Sequence, residues 1–325
     1  QVVLAAVTQH GAALKHASAQ LRNVRNVVLE AVQNCGVALH YASESLQSDS
    51  DVVLTAMRND LGAFECACED LRDDGELFLT AVKEDGRALM YVSEELRNDH
   101  DLVLAAVRQN GRVLQYASAQ LKGDHEVVLI AVRQCGSALC FASQRLRDNQ
   151  EIVLAAVEHY GRALEFASAR FKDDIQVVLA AVKQCGIALE FASVRLSDHF
   201  GVVLAAVKQN GWALQLASDS LKSNYEIVQI AVSNNGMAIK FASTELKVNV
   251  SLLASAIPQR KRDPMDVVPD TIVTTIKEII DVLESHGDTD VLENHFSDAS
   301  IKHYVEHVWK KRYYEQIWLV NHCVE

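Results

Sequence analysis

One short apolar string returns along this chain at Val2, Val27, Val52, Leu77, Leu102, Val127, Ile152, Val177, Val202 and Ile227, a period of 25 residues without insertion or deletion. A fixed period of this size marks modules that stack on one another. Ten units fill residues 1–250, and 251–257 begin an eleventh that Pro258 stops. Each unit offers about five large apolar side chains, worth roughly 1.5–3 kcal/mol apiece when buried. Ordering costs about 1.5 kcal/mol for each of its residues. A lone unit therefore unfolds, and neighbours must supply the rest.

Each unit reads as two helical segments. The first carries a nearly continuous apolar run, such as Val177, Val178, Leu179, Ala180, Ala181 and Val182, and so needs cover on several sides. It opens behind a polar residue at position twenty-four (Asp49, Asp74, Asp99, Asp124, Asn149, Asp174, Asn224, Asn249), a type that caps helix N-termini. It closes at position eleven on a glycine, for example Gly36, Gly86 or Gly186, which the left-handed region would suit. Repeat three has Leu61 then Gly62, so its turn is expected to be displaced by one residue or strained. The second segment carries a narrow stripe exemplified by Ala188, Leu189, Ala192, Ser193 and Leu196. An aromatic at position sixteen, such as Tyr41 or Phe141, lies off that stripe. Either it bridges to the next unit, or the helix breaks and restarts with the position-eighteen serine as its cap.

The unit Val202 to Asn224, VVLAAVKQNGWALQLASDSLKSN, resembles the repeat of domain-of-unknown-function family 4116. The resemblance covers about three quarters of the chain. It implies a helical repeat fold and carries no catalytic residue, cofactor or substrate with it. Leu61, Cys68 and Gln229 depart from the pattern, and irregular repeats are expected there. The expected architecture is all-α: an α-solenoid of ten 25-residue two-helix repeats over 1–257, a linker over 258–269, and a helical C-terminal cap or companion domain over 270–325.

Composition narrows the setting. Seven cysteines in 325 residues are too few and too scattered for a disulfide scaffold, which points to reduced thiols in an intracellular, cytoplasmic protein. No apolar run approaches the length of a membrane span. The first residue is Gln and nothing resembles a signal peptide, which suggests a piece whose upstream sequence carries any targeting information.

Prolines at 258, 264 and 269 mark the linker, and Ile272, Val273, Ile276, Ile279, Ile280 and Leu283 then share one face of an amphipathic helix. A second helix candidate holds His303, Glu306 and His307 in an H-x-x-E-H string, the inverted zinc-peptidase pattern. That metal reading is rejected, because a catalytic zinc needs a third protein ligand and only Glu315 and Glu325 follow as carboxylates. Cys35, Cys135 and Cys185 at position ten read as small buried core thiols rather than ligands.

The net charge is −12, with repeats two to four at −3, −5 and −3. Nucleic acid is not the expected partner, since a continuous basic stripe is missing. Position twelve varies most tellingly from unit to unit. It is Arg87, Arg112 and Arg162 in the middle and Ile187, Trp212 and Met237 in three consecutive late units, a composition that interface hot spots favour. The late trio lies either on an open ridge or beneath the C-terminal cap. The function expected is a non-catalytic scaffold that binds a protein or another copy of itself, with no cofactor and no small-molecule substrate. The alternative is an enzyme fragment whose chemistry sits C-terminal or upstream while the repeats recruit substrate.

Overall fold

The computed structural model describes residues 2–247, 249, 252 and 255. The linker, the C-terminal helices and the H-x-x-E-H string lie outside them. The chain divides into two compact units, 1–172 and 173–325. Each is an all-α stack of repeats as far as it is described.

The repeat has three helical pieces. In repeat two a ten-residue α-helix, Arg25–Asn34, leads through extended Cys35 into a 3₁₀ segment, Gly36–Tyr41, and then a single α-turn, Glu44–Gln47. The second segment therefore breaks, the second of the two alternatives open from sequence. Ala42 and Ser43 at the break are both extended. The serine then caps the new turn: Ser118 Oγ accepts from Leu121 N–H at 3.2 Å and Ser218 Oγ from Leu221 N–H at 3.2 Å. In repeats three to five the last piece is 3₁₀ rather than α (Glu69–Asp73, Leu96–Asn98, Leu121–Gly123).

The long helices start where the caps predict. Asp124 Oδ1 accepts from Val127 N–H at 2.9 Å and Asn224 Oδ1 from Ile227 N–H at 3.1 Å. His199 takes the same position in repeat eight, its Nδ1 accepting from Val202 N–H at 3.3 Å. In repeats two to ten, positions two, three, six and seven are buried, as at Val127, Val128, Ala131 and Val132, and the helix packs on the 3₁₀ piece that buries Ala138 and Leu139. The helix is not covered all round, however. Leu129 and Ile130 at positions four and five stay half-buried on an outer face. Gln229 falls at this outer position and is exposed, so repeat ten keeps its regular helix, Tyr225–Asn234, despite the departure.

Successive repeats are tied by a main-chain rung. The position-eighteen N–H donates to the position-twenty-two carbonyl of the preceding repeat. In the first unit Ser43, Cys68, Ser93, Ser118, Ser143 and Ser168 do so at 2.8–3.1 Å, and in the second Ser218 and Ser243 both do so at 3.0 Å. Because the rung is main chain, Cys68 preserves it.

The position-eleven glycines correct the sequence expectation. Among those whose surroundings are described, none is left-handed. Their service is close approach: a Cβ on Gly36 would lie 2.5 Å from the Ala56 carbonyl oxygen of the next repeat, and one on Gly86 would lie 2.5 Å from that of Ala106. No side chain fits between them. Leu61 breaks this rule, and its 3₁₀ segment still begins in register at Leu61 without displacement. The accommodation is between repeats. A cleft of about 550 Å³ separates residues 54–62 from 81–91. Deeper in the same seam, Phe64 meets the Phe78 ring at 4.9 Å and Tyr91 at 5.8 Å, so aromatic rings fill what the leucine props apart.

Candidate functional site

Position twelve follows directly after the close glycine contact, and the side chain at position ten orients it. Asp85, Asn110, Asn210 and Asn235 each accept from the N–H two residues on, that of Arg87, Arg112, Trp212 and Met237, at 2.9–3.0 Å. These Asx turns hold the start of each 3₁₀ piece while its core residues are buried at positions thirteen and fourteen, as Ala213 and Leu214 are. Repeats two, six and eight have Cys35, Cys135 and Cys185 at position ten and no side-chain cap.

In the first unit Arg87 and Arg112 are exposed and Arg162 is half-buried. They do not form a continuous row, because Ser137 holds position twelve in repeat six. Arg87 is folded back on its own turn, its Nη2 2.6 Å from Asp85 Oδ2. Hydrogen bonding from Arg87 holds the Asp85 carboxyl below its ordinary range.

In the second unit Ile187, Trp212 and Met237 occupy three consecutive repeats, all half-buried. Trp212 is partly committed to packing. Its ring meets Phe241 of the next repeat edge-on, with centroids 5.6 Å apart at 63°. The Lys240 ammonium sits 4.3 Å from the Trp212 centroid and 4.8 Å from that of Phe241. This aromatic–cation cluster was not read from the sequence. The signal available was Trp212 at position twelve and Lys240 and Phe241 at positions fifteen and sixteen one repeat later.

The thiols differ from expectation in depth. Cys35, Cys135 and Cys185 are half-buried rather than buried, because position ten lies at the segment junction. Burial pushes the Cys66 and Cys140 thiols up, which works against a thiolate nucleophile. Among the described residues no group of three His, Cys, Asp or Glu could hold a metal ion. No described helix is long and apolar enough to cross a membrane.

A family profile described as "Domain of unknown function (DUF4116)" matches residues 1–39, 24–72, 74–122, 109–147, 124–171, 149–197 and 200–247. Comparison with curated proteins and with solved structures found no match.

Proposed function

The chain belongs to the DUF4116 family, and on that premise we propose that it is a non-catalytic scaffold that binds a protein, or a second copy of itself, through the position-twelve edge of its late repeats. The observation that supports this is the row Ile187, Trp212 and Met237, apolar and half-exposed in consecutive repeats, with Lys240 against the tryptophan face. Large apolar and aromatic side chains presented beside a cation are what interface hot spots are made of. Arg87, Arg112 and Arg162 are the polar counterpart in the first unit. The same reading gives the protein no cofactor and an intracellular setting, where seven thiols stay reduced.

The test compares wild type with Trp212→Ala and Met237→Ala, reading partner recovery by affinity enrichment and self-association by light scattering. Loss of either signal with unchanged helical content supports the edge. Unchanged recovery and unchanged mass remove it. Stoichiometric zinc in the purified chain would instead favour the enzyme reading.

A further inference from the structure

In the seams that follow repeats two, eight and nine, a carboxamide at position nine answers two main-chain groups of the repeat before it. Asn59 Oδ1 accepts from Gly36 N–H at 2.8 Å while its Nδ2 donates to the Gln33 carbonyl at 3.0 Å. Asn234 does the same for Gly211 N–H at 2.8 Å and the Lys208 carbonyl at 3.0 Å. Gln209 joins Gly186 N–H at 2.6 Å to the Gln184 carbonyl at 3.3 Å. These are the orphan groups where one helical piece ends and the next begins. A primary carboxamide suits them because it donates and accepts at once.

The seam between repeats three and four lacks this clamp. Position nine is Glu84, and both of its carboxylate oxygens are taken by Arg58, from Nη2 at 2.7 Å and from Nε at 2.8 Å. An ionised carboxylate has no donor for a carbonyl. Neither the Leu61 N–H nor the Arg58 carbonyl has a hydrogen-bond partner among the described residues. Arg58 and Leu61 both line the 550 Å³ cleft, whose apolar walls include Leu54, Met57, Ala81 and Met90.

We propose that this cleft binds a peptide segment presenting an asparagine or glutamine side chain, whose carboxamide takes the place that Asn59, Gln209 and Asn234 fill in their seams. The amide accepts from Leu61 N–H and donates to the Arg58 carbonyl, while a neighbouring apolar residue of the peptide lies against Met57 and Met90. Other ligand classes fit less well. An anion meets guanidinium groups already paired with Glu84 and Asp85, and has nothing to give the carbonyl. A cation has nothing to accept the N–H. The cleft and the Trp212 edge involve different repeats, so each stands or falls alone.

The test is an amide-resolved NMR titration of the full chain with a capped tripeptide carrying glutamine at its centre, and with the same peptide carrying glutamate or leucine there. Saturable shifts at Leu61, Gly62 and Arg87 are expected for the glutamine peptide, with affinity at least about tenfold weaker for the other two. Equal binding by all three, or no saturable shift, overturns the proposal, and this comparison needs no variant. Glu84→Gln supplies the missing amide from within the chain. It should abolish glutamine-peptide binding and slow hydrogen exchange at Leu61, and undiminished binding by that variant also overturns the proposal.

Discussion

A single glycine shows how differently two readings can justify the same residue. Gly36 stands where a helix ends, which suggests backbone freedom, yet its constraint is the Ala56 carbonyl of the next repeat at 2.5 Å from where a Cβ would be. Gly62, one position later in repeat three, meets no backbone closer than 3.8 Å, only the Asp60 side chain at 3.2 Å and the Tyr91 hydroxyl at 3.8 Å. Gly36→Ala should therefore destabilise by about 1–3 kcal/mol, since backbone must move to admit the methyl. Gly62→Ala should lie within about 0.5 kcal/mol of wild type. Urea midpoints of the two variants check this, and equal midpoints would contradict it. The glycine period was legible in the sequence. Its cause was not, because the oxygen it must avoid is 20 residues away and becomes a neighbour only after stacking.

At the scale of the helical piece, the break at positions seventeen and eighteen matters most. Once Ser43 and its equivalents leave the helix, their N–H groups are free to tie repeats together and their hydroxyls are free to bond. Ser118 Oγ donates to Asn98 Oδ1 at 2.5 Å and Ser168 Oγ to Asp148 Oδ1 at 2.5 Å, both at position twenty-three of the preceding repeat. Ser143 and Ser243 have no such partner, and their buried Oγ atoms are unsatisfied. The reason is upstream: position twenty-three is Gly123 and Ser223 there. A Cβ on Gly123 would sit in ordinary contact with Ser143, 3.6 Å from its Oγ. Gly123→Asp should stabilise the chain by about 0.5–1.5 kcal/mol by completing the bond. Ser143→Ala should remove that gain, and a double-mutant cycle in urea measures it. The serine cap was one of the two possibilities open from sequence, since a Ser within an apolar stripe fits a helix face as well as a restart.

For the molecule as a whole, charge is where sequence and structure combine. The acidity of repeats two to four is partly answered by basic side chains: Arg25 pairs with Asp49 at 3.1 Å and with Asp51 at 2.7 Å, and Arg58 with Glu84 at 2.7 Å. The hydrogen bonds from Arg58 hold the Glu84 carboxyl below its ordinary value. A carboxylate whose folded pKa is depressed contributes its full stability above the unfolded value, about 4.3 for Glu, and loses it as pH falls through the lower folded value. Wild type should thus exceed Arg58→Met by about 0.3–1 kcal/mol at pH 7, a modest amount because both side chains are largely exposed. The difference should shrink as pH falls from 7 to 3. Urea midpoints at the two pH values test it, and a difference that ignores pH would exclude the ion pair as its source.

What the chain's own order of residues determined is the repeating all-α fold and its core. A strict 25-residue period with apolar positions at helical spacing leaves each module unable to hide its hydrophobic surface alone, whatever the neighbours' details. The caps at position twenty-four were equally legible, because donor and acceptor lie three residues apart. Only the tertiary structure decided which groups face each other across a seam. The carboxamide clamp joins residues 23 and 26 apart, and the stacking offset selects those partners. For the same reason the exchange of an amide for Glu84 reads in sequence as one more polar surface residue. In the folded chain it leaves a main-chain donor and acceptor beside a cleft, because the repeat that would have answered them is held one leucine away.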